Sequence, residues 1–217
     1  MFQVPSFMIF LFAFLFSLAI HEAAHAWMAD RLGDPTAKLE GRLSLNPFRH
    51  LDPLGTLLTF SLIFSGSPIV FGWGKPVSFD PFNLRNPRRD AALISLAGPA
   101  SNLILATFLA VIIRLGHLFL GTTGFSIEMI LSPIIQLNVT WGLFNLLPLH
   151  PLDGGKVLVG FLPRDLAYRV DEFLHQYGLI ILLFLIFPFA GTPPLFFILS
   201  PLVRLVLAIL LPGTPLI

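Results

Sequence analysis

The apolar run from Phe7 to Met28 constrains the fold most, because it is long enough to cross a lipid bilayer as one helix. Within it stand His21, Glu22 and His25, in the pattern His-Glu-x-x-His. Residues four apart share one face of a helix, so both imidazoles can reach one zinc ion, while Glu22 would accept a proton from the attacking water. An ionisable group deep in a bilayer costs ~2.5 kcal/mol or more, which favours a metal site over a chance match.

Composition places the rest of the chain in the membrane as well. The 217 residues are 55% hydrophobic and 12% charged, with a mean hydropathy of +0.84. We expect an all-α polytopic membrane protein with about five to six transmembrane helices, forming a single membrane-embedded domain over residues 1–217. A net charge of +1 without a basic block gives no indication of nucleic-acid binding. Because the chain has no cysteine, His, Asp and Glu must supply the ligands of any zinc ion.

Hydropathy predicts the other elements in order along the chain. Two runs, Ala91–Ile113 and Ile130–Leu149, read as spans. The predicted elements around them are a loop over Gly121–Ser126, a cytoplasmic amphipathic helix over Lys156–Tyr177, and a closing hairpin of Gly178–Ala190 and Leu195–Leu211.

The apolar segment Leu54–Phe71 is predicted to re-enter the membrane and not to cross it. The loops on both sides of it are basic, and basic loops mark the cytoplasmic face. A crossing would also carry Asp153 to the face opposite the end of the first span. The stretch Pro68–Phe79 is predicted to offer a short β edge near the active site, to which an extended substrate could bind.

A catalytic zinc takes three protein ligands, and the two histidines leave one vacancy. Asp153 is the first candidate, because it follows a span, is flanked by glycines and carries a charge that would balance the dication. His150 is the alternative. A helix cap at the membrane boundary would also explain Asp153, but not the presence of Asn145 nearby.

Three groups of residues now make the chain resemble the site-2 protease family of intramembrane zinc metalloproteases. The groups are His21-Glu22-x-x-His25, Gly98-Pro99-x-x-Asn102 and Asn145-x-x-Pro148…Leu152-Asp153-Gly154. The chain looks like the small, core-only branch without PDZ or CBS domains, on further motifs: Leu32-Gly33-Asp34-Pro35-Thr36-Ala37, Gly41-Arg42-Leu43, Asn46-Pro47 and Gly72-Trp73-x-Lys75-Pro76-Val77.

The resemblance implies hydrolysis of peptide bonds in or near transmembrane segments, with a single-pass membrane protein in the lipid bilayer as substrate. It implies one zinc ion per chain, held by His21, His25 and Asp153, with Glu22 as the catalytic base and Asn145 contacting the oxyanion or the substrate. We expect a multi-pass protein of the cell membrane whose active site opens to the cytoplasmic side.

Two other functions fit parts of the pattern. A divalent-metal transporter would also place His, Glu and Asp in the membrane, although transporters often show repeated halves and this sequence shows no repeat. A catalytically silent membrane chaperone would keep the fold, but the intact Glu22 argues against it.

Overall fold

The computed structural model describes residues 4–64, 74–188 and 191–211. Their regular structure is helical, apart from one isolated β-bridge. Two single 3-10 turns lie at Pro47–Arg49 and Pro81–Asn83. The α-helices in chain order are α1 (Val4–Leu32), α2 (Thr36–Leu39), α3 (Pro53–Phe64), α4 (Pro87–Leu120), α5 (Thr122–Asn145), α6 (Asp153–Phe161), α7 (Arg164–Ile186) and α8 (Pro194–Leu210).

Within the described ranges, three helical stretches are long and apolar enough to cross a bilayer. They are Leu11–Leu32 in α1, all of α4, and Gly124–Asn145 in α5. Helix α8 is apolar but shorter, with 17 residues. The expected all-α membrane class is confirmed, and the stretches that meet the length of a span number three, against the five to six expected.

The loop predicted over Gly121–Ser126 is wrong, because α5 begins at Thr122 and only Gly121 interrupts the helical path. Gly121 has a φ of 55°, a backbone conformation that glycine adopts without strain. The one-residue turn works because Gly124 lies directly against the backbone of Gly116, where a Cβ would come 2.8 Å from the carbonyl carbon. The two long helices therefore meet closely at this end.

The single helix predicted over Lys156–Tyr177 is also wrong. Helix α6 ends at Phe161, and α7 starts after Pro163, whose ring nitrogen has no N–H to continue a helix. Helix α7 then runs past Tyr177 to Ile186, so it includes most of the predicted first arm of the hairpin. Gly178 does not end the helix, because it serves as a close-contact position against the backbone of His150.

The two ends of the re-entrant candidate meet. Leu51 and Gly74 form an isolated antiparallel bridge, and the Lys75 N–H donates to the His50 carbonyl at 2.8 Å. A crossing would hold these ends about 30 Å apart, and the 12 residues of α3 reach only about 18 Å. This geometry supports a re-entrant course for Leu54–Phe71. Residues 65–73, and with them the first half of the expected β edge, lie outside the described residues.

Helix α4 is the centre of the packing and contacts α1, α5 and α6. Its Ala106 and Ala110 are almost fully buried against Ile135 and Val139 of α5 and Val203 of α8. Small side chains on α4 let the neighbouring backbones come close, which is the main way that helices pack in lipid. Helix α4 is thus placed to support side chains from several helices at once.

Helix α6 reaches α4 through Gly160, which lies against Ala92 and whose Cβ would come 2.9 Å from the Arg88 carbonyl oxygen. At the other end of α6, a Cβ on Gly154 would collide with the carbonyl oxygens of Leu146 and Leu147. Both contacts require glycine. They fix α6 so that its first residue, Asp153, points towards α1.

A buried carboxylate links the end of α1 to the segment that precedes α4. Asp34 is fully buried and accepts hydrogen bonds from the Thr36 hydroxyl at 2.6 Å, the Asp80 N–H at 2.8 Å and the Asn83 side-chain amide at 2.8 Å. A buried carboxylate needs such donors to replace water. The ends of α1 and α4 that carry the candidate site are therefore held on one side of the molecule.

Candidate metal centre

Helices α1 and α6 bring three expected ligands together. Asp153 Oδ2 lies 3.2 Å from His21 Nε2 and 3.3 Å from His25 Nε2. Three atoms bound tetrahedrally to zinc at about 2.0–2.1 Å would be about 3.3 Å apart, so these separations fit a shared ion. The two histidines are 3% and 7% exposed. The three side chains form a group that could hold a metal ion.

The other ring nitrogen of each histidine is engaged by α4. His21 Nδ1–H donates to Asn102 Oδ1 at 2.6 Å, and His25 Nδ1–H donates to the Ile94 carbonyl oxygen at 2.7 Å. These acceptors hold the proton on Nδ1 and leave the Nε2 lone pair free for a metal. Both rings are thus fixed in the tautomer and orientation that zinc requires.

A chain of buried amides extends this support. The Asn102 side-chain amide donates to Asn138 Oδ1 at 2.8 Å, and that of Asn138 donates to the Ser17 hydroxyl at 2.9 Å. All three are fully buried. The sequence analysis singled out Asn102 within the motif Gly98-Pro99-x-x-Asn102 and missed Asn138 and Ser17. The available signal was polar side chains in apolar helices, which are costly in lipid unless they are paired.

Gly98 leaves open the space in which the two ring nitrogens converge. A Cβ at this position would lie 2.5 Å from His25 Cε1 and 2.7 Å from His21 Nε2, and it would collide with His25 Nε2. The glycine in Gly98-Pro99-x-x-Asn102 therefore does more than allow close helix packing. It leaves room for an ion at the centre.

Electrostatics favour the ionised form of Asp153. Burial alone would raise the pKa of its carboxyl, but the two imidazoles beside it, first His25 and then His21, hold that pKa well below its usual range. A carboxylate is the form that binds zinc. The chemistry of the donor set therefore fits the metal as well as its spacing does.

Glu22 lies beside the three candidate ligands and pairs with Arg42, to which the sequence analysis gave no role in the site. Arg42 Nη2 is 3.8 Å from Glu22 Oε2, and the guanidinium also donates to the carbonyls of Arg49 and Lys75. Arg42 is 2% exposed, so its charge is compensated inside the protein. Its position in the Gly41-Arg42-Leu43 motif was the only signal for this contact.

The other two sequence candidates lie outside the three-residue group. The Asn145 amide, at the end of α5, donates to the Trp141 carbonyl at 3.1 Å. His150 Nε2 is 3.0 Å from Asp171 Oδ1 on α7. Of the two candidates for the third ligand, the structure thus brings Asp153, and not His150, to the histidine pair.

Several known proteins are similar to this chain in sequence. The model of Peptidase family M50 matches residues 9–120 and 117–185. "Putative zinc metalloprotease YwhC" of Bacillus subtilis is 39% identical over 173 residues, which are 78% of this chain and 75% of that protein. "Putative zinc metalloprotease Rip2" of Mycolicibacterium smegmatis is 31% identical over 194 residues, 84% of this chain and 68% of that protein. "Putative zinc metalloprotease Rip2" of Mycobacterium tuberculosis is 33% identical over 184 residues, 79% and 63% respectively.

No solved structure matches the chain. The family match covers most of the chain. It includes His21 and His25 on α1 and their hydrogen-bond partners Asn102 and Ile94 on α4. The donor set of two imidazoles and one carboxylate suits catalytic zinc, which leaves a fourth position for water or substrate. This chain therefore belongs to Peptidase family M50, the site-2 protease family, and is a zinc metalloprotease.

Proposed function

We propose that this metalloprotease cleaves peptide bonds in or near the transmembrane segments of single-pass membrane proteins. In this proposal His21, His25 and Asp153 hold the zinc ion, and Glu22 is the general base. The observation that carries it is the His-His-Asp group itself, whose two histidines belong to a membrane-spanning stretch. His25 lies seven residues before the end of α1, which corresponds to about 10 Å of helix. The reaction would thus occur inside the membrane but near one face.

The proposed hydrolysis combines what a zinc ion would supply with proton transfer by Glu22. Zinc lowers the pKa of a water molecule bound to it to about 7 and polarises a carbonyl group. Glu22 takes a proton from the water whose oxygen attacks the scissile carbonyl carbon. It then gives that proton to the amide nitrogen, which leaves as an amine when the C–N bond breaks.

Two further side chains have roles in the proposed reaction. Arg42 holds the Glu22 carboxylate by charge and by its own hydrogen bonds to the backbone at Arg49 and Lys75. The Asn145 amide has two protons, and while one is donated to Trp141 the other can bind a substrate carbonyl oxygen.

A vesicle experiment separates this function from metal transport. The purified chain is placed in lipid vesicles with a single-pass substrate labelled at both ends, and peptide products and zinc flux are measured together. The expected result is products without flux above empty vesicles. His117→Ala, which changes a histidine at the far end of α4, is the matched control and should cleave normally. Zinc flux without products would favour metal transport and end the proposal that this chain cleaves transmembrane segments.

We further propose that the site opens to the cytoplasmic face of the cell membrane. Arg31 lies at the end of α1 and Arg85 lies just before α4, and both are exposed. The end of α1 and the start of α4 pack together through Ala29, Leu84 and Ile94. The basic residues of these loops favour the cytoplasm.

Labelling tests this orientation in a chain that has no native cysteine. Arg31→Cys and Arg85→Cys, made singly, should each react with an impermeant maleimide only when it is given access to the cytoplasmic side. Labelling of both from the outside would reverse the orientation. Labelling from opposite sides would contradict the re-entrant course of Leu54–Phe71.

A further inference from the structure

A second group of metal-ligating side chains lies where the turn between α5 and α6 meets α7. Asp171 Oδ1 is 3.0 Å from His150 Nε2 and 3.3 Å from His175 Nδ1. The donor atoms of all three residues lie within 4.8 Å of one another. The group shares no residue with the His21–His25–Asp153 centre, and the proposed reaction does not use it.

We infer that His150, Asp171 and His175 form a second binding site for a divalent transition-metal cation such as zinc. Asp171 and His175 are four residues apart on α7, which places them on one face of the helix. The distances from Asp171 Oδ1 to the two imidazole nitrogens, 3.0 Å and 3.3 Å, are close to the value of about 3.3 Å expected for tetrahedral zinc ligands. Imidazole and carboxylate are both zinc ligands.

Close backbone contacts hold the inner ligand in position. A Cβ on Gly155 would lie 2.7 Å from His150 Nδ1, and one on Gly178 would lie 2.6 Å from the His150 carbonyl oxygen. Two glycines from different helices thus make room for the His150 ring and its backbone. Fixing the ligand beforehand lowers the entropy lost when a metal binds.

The exposure of the three side chains increases from His150, which is buried, to His175, which faces the surface. The side chains of His150, Asp171 and His175 are 11%, 43% and 69% exposed. The outer edge is therefore open to an arriving hydrated cation, and a water molecule can complete the coordination. The surrounding first half of α7 is exposed and carries Arg164, Asp165, Arg169 and Glu172, which indicates an aqueous surface.

The site has a consequence for the proposed reaction. His150 lies three residues before Asp153, in the turn that leads into α6. A cation shared by His150 and α7 would fasten this turn to α7 and so restrict the movement of Asp153. Without a cation, His150 Nε2 pairs with the Asp171 carboxylate at 3.0 Å and His175 Nδ1 donates to the Asp171 backbone carbonyl at 2.9 Å, and a bound cation would take the place of the proton on each of these nitrogens.

Metal counting tests the inference on the full chain in detergent. The purified protein is loaded with excess zinc, passed through a desalting column and measured for zinc per chain. The wild type should hold two ions, and His175→Ala, at an exposed position, should hold one. His117→Ala should hold two, because among the described residues His117 pairs with a single carboxylate, Glu128 at 2.9 Å, and belongs to neither group of possible metal ligands. One ion in the wild type, unchanged by His175→Ala, would overturn the second site.

A second pair of variants distinguishes this inference from the proposed function. His25→Ala should keep one zinc ion, held by the second site, and His25→Ala with His175→Ala should keep none. If the proposed active centre did not bind zinc, the wild type would hold one ion that His25→Ala leaves in place and His175→Ala removes. If His25→Ala fails to fold, the comparison of wild type with His175→Ala still decides the matter.

Discussion

Glu22→Gln should lower the rate of substrate cleavage by about 10²- to 10⁴-fold, the usual contribution of general acid–base catalysis. Glutamine has nearly the same shape but cannot accept the proton of the attacking water. The three ligands are untouched, so zinc at His21, His25 and Asp153 should stay at the wild-type level. The measurement is the initial rate of cleavage in vesicles together with zinc content.

The matched control for this change is Glu40→Gln, which alters an exposed glutamate. It should cleave at the wild-type rate. Glutamine keeps the size of glutamate, and Arg42 keeps its hydrogen bonds to the carbonyls of Arg49 and Lys75, so the fold should survive, and circular dichroism checks this. Wild-type cleavage by a folded Glu22→Gln protein would remove Glu22 from the role of base.

Gly98→Ala should weaken zinc binding at the His21–His25–Asp153 centre by more than the 10- to 100-fold that is typical of changes around a metal's ligands. The new methyl group would lie 2.7 Å from His21 Nε2 and in collision with His25 Nε2. It therefore occupies the space that the ion needs. Cleavage should be lost together with zinc, measured as zinc per chain at limiting free zinc.

Gly116→Ala is the control in the same helix. The nearest atom to its Cβ is Ile127 Cδ1 at 3.2 Å, the end of a side chain that can move. This variant should fold and bind zinc as the wild type does. Normal zinc affinity in a folded Gly98→Ala protein would mean that the ion does not lie between the two histidines.

The grouping of His21, His25 and Asp153 could be predicted from the sequence because the patterns that indicate it involve residues close together in the chain. The spacing of His21 and His25 is a property of one helix, and the glycines after Asp153 mark a close approach of the backbone. The membrane class likewise followed from composition. The choice between Asp153 and His150 needed the structure, because it depends on how α6 packs against α4.

The supporting residues could not be predicted because their roles depend on distant contacts. Arg42 is charged and lies in a polar loop, a pattern typical of a solvated residue, yet it is buried beside Glu22. Asn138 is separated from Ser17 by 121 positions in the chain. The boundaries of α6 and α7 were missed because hydropathy does not register that Pro163 stops one helix and that Gly178 packs within the next.

Because the two ends of the segment Leu54–Phe71 are joined, the length of this segment can change in evolution independently of the hydrolytic centre. Since the bridge between Leu51 and Gly74 and the contacts of Arg42 close off the segment, insertions or deletions between residues 52 and 73 need not disturb the hydrolytic centre. Long insertions in closed loops cost little free energy. Chains of this family can therefore differ in the length of this segment while the hydrolytic centre stays the same.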